Sequence, residues 1–94
     1  MYAKTTTLTN PSGLHARPAS LFVAEAKNYK SNVTIRRAGA DTDTDSEPKN
    51  AKSIIMLLAL ALKPNTEIEI AANGEDEVEA VDKLIELVES GFGE

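Results

Sequence analysis

The sequence predicts an α+β fold in which helices cover one face of a mostly antiparallel sheet. Three observations lead there. Segments rich in β-formers or alternating in polarity occur at 2–8, 32–37 and 66–72. Segments with apolar residues at helical spacing occur at 16–28, 52–62 and 75–90. The resulting order is strand, helix, strand, a weak strand or loop, short helix, strand, helix, joined by connections of hairpin length.

The first strand is the threonine-rich run from Tyr2 to Leu8, stopped by the turn cluster Asn10-Pro11-Ser12-Gly13. The helix that follows carries Pro18 in its first turn, where the missing N–H is not required. Ala19, Phe22, Val23, Ala26 and Tyr29 fall at helical spacing and are expected to face a core. In the second strand Val33 and Ile35 share one side. Residues 38–50 hold Asp41, Asp43, Asp45, Glu47 and Pro48 but no large apolar side chain, which reads as an exposed loop with a frayed strand at its start. The short helix 52–62 is closed by Pro64. The strand 66–72 turns Ile68 and Ile70 inward. Asn73-Gly74 leads into the last helix, whose first turn gathers Glu75, Asp76 and Glu77, as the helix dipole favours. Val78, Val81, Ile85 and Val88 form its apolar stripe, and Gly91 is its stop.

Composition narrows the function. At 94 residues the chain is expected to be one domain spanning 1–94. It has no cysteine, which removes disulfide scaffolds, thiol catalysis and cysteine-held metals. A net charge of −5 and an aromatic content of 4% argue against nucleic-acid binding. The N-terminus has no apolar core of signal-peptide length. The longest apolar run, 54–62, is about half of a membrane span, so no membrane insertion and a cytoplasmic location are expected. The chain has a single histidine, His15, and any imidazole chemistry must happen there.

His15 stands where a turn meets a helix start. A helix N-terminus presents unpaired backbone N–H groups, here those of Ala16 and Arg17. The positive end of the dipole and the neighbouring guanidinium favour a neutral ring, and then an anion attached to it. A histidine that accepts a phosphoryl group needs both properties. Gly13 lets the backbone turn tightly beside the ring. The plainer reading makes His15 a helix cap and Arg17 a solvated charge. Pattern alone leaves both readings open.

The run Gly13-Leu14-His15-Ala16-Arg17-Pro18-Ala19 resembles the active-site signature of the HPr family, the histidine-containing phosphocarriers of the bacterial phosphoenolpyruvate:sugar phosphotransferase system. Lys52-Ser53-Ile54 resembles the family's regulatory-serine segment, Ala71-Ala72-Asn73-Gly74-Glu75-Asp76-Glu77 its last strand-to-helix turn, and Gly91-Phe92-Gly93-Glu94 a common ending. The resemblance implies an open-faced β-sandwich: a four-stranded antiparallel sheet with three helices packed on one face. It implies a carrier rather than an enzyme, with no cofactor and no metal. His15 would take a phosphoryl group on Nδ1 from phosphorylated enzyme I and pass it to IIA units of sugar permeases. Arg17 and the N–H groups of Ala16 and Arg17 would cradle the phosphate, with Ser12 close by. Ser53 would be the target of an ATP-dependent HPr kinase/phosphorylase in carbon catabolite repression, which would add a catabolite-control repressor to the partners. Its hydroxyl stands at a helix start, where it also reads as a simple N-cap. Ser20, Ile54, Ile55 and Leu58 would dock partners; for the last three the physical reason is that a short helix apolar around most of its circumference cannot bury every side chain. A monomer is expected.

The chain departs from the family pattern by an acidic loop insertion around residues 40–49. Asp41, Asp43 and Asp45 open like a calcium loop, but Ser46 replaces the glycine and Lys52 the closing glutamate, so a solvated loop is the better reading. Two other function classes compete with the carrier. One is an HPr-like regulatory binding module of carbon catabolite or nitrogen-branch control; the pair His15 and Arg17 speaks against it. The other is a hydrolase with His15 as base, for which no nucleophile–base pair is evident. Charge is divided unevenly along the chain. Residues 1–40 hold six basic and one acidic side chain, a net of +5, and residues 41–94 hold four basic and fourteen acidic, a net of −10. The histidine lies in the basic part, which suits phosphate and acidic partners.

Overall fold

Four strands form one antiparallel sheet in the order β1-β4-β2-β3 in a computed structural model that describes residues 1–38, 48–60 and 62–93. They are β1 (Tyr2–Thr7), β2 (Asn32–Arg37), β3 (Lys49–Asn50) and β4 (Glu67–Asn73). Three helices, α1 (Ala16–Ala26), α2 (Ile54–Leu60) and α3 (Glu77–Glu89), and a terminal 3₁₀ turn, Gly91–Gly93, complete the chain. The order matches the one read from the sequence, and the architecture is the four-stranded open sheet with three helices.

Register explains which face is covered. Thr6 stands opposite Ile68, and Arg37 flanks Ile68 on the other side; Ile70 lies between Lys4 and Ile35, and Ala72 between Tyr2 and Val33. Partners directly opposite share a face. Val33, Ile35, Ile68, Ile70 and Ala72 are buried there. The outer face carries Thr5, Glu69 and Arg36, with Arg36 Nε donating to Oε1 of Glu69, its direct register partner, at 2.6 Å. α3 lies over β1 and β4, α1 packs against α2 and α3, and α2 packs beside β3. Burying Phe22, Leu14, Leu57 and Leu84 between helices and sheet contributes roughly 1.5–3 kcal/mol per side chain.

Several expectations shift. A short strand lies at the end of the 38–50 segment, at Lys49–Asn50; the frayed strand expected at its start falls on residues outside the described ones. The short strand pairs with β2 through Thr34↔Asn50 and Ile35↔Lys49, and two polar edge residues carry no alternation to read. Residues 39–47, with the acidic insertion and its calcium-loop test, lie outside the described residues. α2 begins at Ile54 rather than at Lys52. Val78 is half exposed instead of facing the core. The buried stripe of α3 is Ala80, Val81, Leu84, Ile85 and Val88, and at 100° per residue Val78 falls roughly 90° from its centre.

Two corners are closed by side chains. Asp82 of α3 accepts from Tyr2 Oη at 3.0 Å and pairs with Lys4 Nζ at 2.9 Å, tying the helix to β1. Those donors hold the Asp82 carboxyl below its ordinary value. Asp76 accepts from the backbone N–H of Lys30 at 2.9 Å, from that of Ser31 at 3.0 Å, and from the Ser31 hydroxyl. These hydrogen bonds pull its carboxyl down to about 2. Gly74 is required at this corner: its φ is +155°, and a Cβ there would lie 2.8 Å from Ser31 Cα.

Candidate functional site

The loop between β1 and α1 is built to hold a backbone still. Asn10 is buried; its Nδ2 donates to the Gly13 carbonyl at 2.8 Å, and its own carbonyl accepts the Gly13 N–H at 3.1 Å. From the other side comes the link between α2 and β4. Leu14 N–H donates to the Leu62 carbonyl at 3.0 Å, and Leu8 exchanges backbone bonds with Asn65 and Thr66. Gly13 has φ +63° and sits against this link so closely that a Cβ would fall 2.6 Å from the Leu62 carbonyl oxygen. Leu14 and Pro18, on either side of His15-Ala16-Arg17, are buried.

These anchors place His15 at the N-cap of α1 in an extended conformation, with its ring exposed. Its carbonyl accepts the Ala19 N–H at 2.7 Å, which starts the helix. Its side chain makes no capping hydrogen bond. The helix-cap reading of His15 therefore fails in its side-chain form. Pro18 has no N–H to offer, so the donors at this helix end are those of Ala16 and Arg17, both exposed. The first turn contains no acid. Such an end attracts an anion, and Arg17 adds a full positive charge.

A surface cavity of about 190 Å³ opens beside the ring, lined by Ser12, Leu14, His15, Leu58, Leu62, Lys63 and Pro64. Ser12 and His15 are thus brought together as expected. Leu58 connects the cavity to an apolar surface. Ile55 is 74% exposed and Leu58 43%, and Met56 and Leu21 are exposed beyond a third as well. Ile54 differs from the other two residues assigned to docking: it is half-buried and packs against the core. Ser20 is exposed on α1. Ser53 lies half-buried before α2, where its Oγ accepts the Met56 N–H at 3.4 Å and its carbonyl accepts the Leu57 N–H at 3.1 Å. Sequence reasoning missed Lys63 and Leu21. The only pointer to Lys63 was its place beside the helix-ending Pro64.

A family model described as the PTS HPr component phosphorylation site matches residues 2–90. The chain belongs to this family. The HPr phosphocarrier of Haemophilus influenzae is 40% identical over 88 residues, covering 94% of this chain and 95% of that protein. The HPr-like protein Crh of Bacillus subtilis is 44% identical over 78 residues, covering 83% of this chain and 84% of its own length. The crystal structure of HPr-C-His from Thermoanaerobacter tengcongensis superposes with a TM-score of 0.88 at 37% identity, covering 100% of this chain and 98% of that one. HPr proteins are phosphocarriers of the phosphotransferase system, not enzymes. No described helix of this HPr-family chain is long and apolar enough to cross a membrane.

Proposed function

We propose that this chain accepts a phosphoryl group on His15 from phosphorylated enzyme I and passes it to IIA units of sugar permeases. The observation that carries the reading is an exposed imidazole at a helix start that has no acid in its first turn and no capping bond to the ring. The ring lone pair at Nδ1 attacks phosphorus, the bond to the donor breaks, and the phosphoryl charge comes to rest against the Ala16 and Arg17 N–H groups and the Arg17 guanidinium. Onward transfer reverses these steps toward the acceptor. Arg17 and the helix end lower the energy of the bound phosphoryl without trapping it, because the site is open to water. Ile55 and Leu58 offer partners an apolar landing beside the ring.

Enzyme I with phosphoenolpyruvate labels the wild type with one acid-labile phosphoryl group and leaves His15→Ala unlabelled; intact-mass analysis reads the result, and equal labelling of the two overturns the proposal. Arg17→Ala keeps the fold and slows transfer. Regulation at Ser53 is a second proposal for the same molecule, and HPr kinase with ATP would add an acid-stable phosphate there. The identity to Crh favours one alternative, a regulatory binding role in carbon catabolite control. A partner that binds the unphosphorylated chain while enzyme I leaves it unlabelled would support that role.

A further inference from the structure

Lys63 is a cation beside His15 that the carrier reading leaves unused. Its backbone cannot drift from the histidine loop. The preceding carbonyl, of Leu62, accepts the Leu14 N–H at 3.0 Å, and Gly13 lies in contact with the backbone of 62–64. Lys63 lines the same cavity of about 190 Å³ as Ser12 and His15. No carboxylate lines that cavity among the described residues. Two of the other six lysines are held by partners elsewhere: Lys4 pairs with Asp82 at 2.9 Å, and Lys52 Nζ donates to the Tyr29 carbonyl at 2.6 Å. Among the described residues Lys63 has neither an ion pair nor a hydrogen bond from its ammonium, and it is exposed.

We propose that Lys63 is a second phosphate-binding cation of the His15 site, reaching the anion from the cavity side while Arg17 holds it from the helix side. The proposal rests on the carrier reading for its biological meaning, but the anion site itself does not depend on it. A lysine ammonium is a mobile point charge on a flexible stem, so it can follow a tetrahedral phosphate through arrival and departure without fixing one geometry. Its contribution is that of a partly solvated ion pair: modest, and sensitive to salt.

The test titrates the unphosphorylated protein with inorganic phosphate at low salt and follows the His15 ring protons by NMR. Lys63→Met should weaken phosphate binding by about two- to five-fold. Lys63→Arg, which keeps the charge, should bind like the wild type, and the difference between wild type and Lys63→Met should vanish in roughly molar salt. Equal affinity of wild type and Lys63→Met overturns the proposal. So does Lys63→Arg binding as weakly as Lys63→Met, which would assign the effect to packing of the stem, and so does a wild type that binds no phosphate. A wild type that binds phosphate through Lys63 yet is not labelled by enzyme I would sink the carrier reading and leave the anion site standing.

Discussion

The two long helices begin in opposite ways. α3 starts at Asp76 with Glu77 and Glu79 in its first turn, and Glu77 Oε1 accepts the Gly74 N–H at 3.1 Å. Its positive end is met by the protein's own carboxylates. α1 starts at His15 with no acid in its first turn, a guanidinium instead, and an N-cap side chain that makes no capping bond. Both ends have the same backbone physics, and only one is left for an anion that comes from outside. An open helix end is less stable than a filled one. Its position beside an exposed imidazole is therefore the feature by which the proposed carrier reading separates the two corners.

Making the first helix start like the second is the most severe way to break this contrast. Ala16→Asp places a carboxylate where the phosphoryl charge would rest. Ala16 is exposed, so folding should be unharmed, and an acid in the first turn adds about 0.3–1 kcal/mol of helix stability. Labelling by enzyme I should fall by about 100-fold or more, the scale on which a lost anion-stabilising group is felt. Thermal melting beside the labelling rate separates the two effects. A variant that melts higher and transfers normally would show that the open end has no part in the chemistry.

The glycines at the two corners sharpen the same comparison at the level of stability. Gly13→Ala puts a methyl 2.6 Å from a carbonyl oxygen and 2.8 Å from two further backbone atoms of 63–64, at a residue with φ +63°. Backbone cannot rotate aside, so the expected cost is about 2–4 kcal/mol, and the displaced link carries the His15 loop with it. Gly74→Ala meets Ser31 Oγ at 2.6 Å and Ser31 Cα at 2.8 Å, and also destabilises. Denaturant melts should fall for both variants. Transfer by the folded fraction should fall only for Gly13→Ala. A Gly13→Ala protein with unaltered transfer would detach the loop geometry from function.

Much of this was legible beforehand, for physical reasons that differ by element. β2 was read to the residue because Val33 and Ile35 alternate on a half-buried strand. His15, Arg17 and Pro18 announced themselves because they are contiguous, and a helix start is a local event. β3 is not legible in the sequence because two polar edge residues take their strand character from pairing with Thr34 and Ile35, which no local pattern records. Lys63 reaches the site through the Leu14–Leu62 hydrogen bond, a contact between segments far apart in the chain. Val78 was assigned to the core because a 3.6-residue period tolerates an edge position as readily as a central one.

The filled corner carries a pH signature of its own. The Asp76 carboxyl titrates at about 2 in the folded chain against an ordinary 3.8, so the folded state binds that proton less tightly than the unfolded state. Its contribution is complete above about pH 4 and drains away as pH falls from 3.8 toward 2. Asp76→Asn should therefore melt below the wild type at pH 6, with the gap narrowing steadily on acidification through that window. Transfer should be unaffected, because Asp76 holds Lys30 and Ser31 and not the histidine loop. A gap that stays constant between pH 6 and pH 2 would remove the carboxylate from the stability of this corner.

The smallest effects separate two exposed apolar residues that look alike in the sequence. Ile55 of α2 is 74% exposed, and Val78 of α3 is 50% exposed. Neither has much to lose in the folded chain, so Ile55→Gln and Val78→Gln should each shift stability by no more than about 0.5 kcal/mol. They differ in surroundings. Ile55 shares α2 with Leu58, which lines the cavity beside the histidine, whereas Val78 stands in an acidic first turn between Glu77 and Glu79. Ile55→Gln should raise the KM of enzyme I for the carrier a few-fold with little change in kcat, since it removes apolar contact that both the encounter complex and the transition state use. Val78→Gln should leave both constants alone. If the two variants behave identically, exposure of apolar surface on α2 is incidental, and the open helix end with its cations must recruit partners unaided.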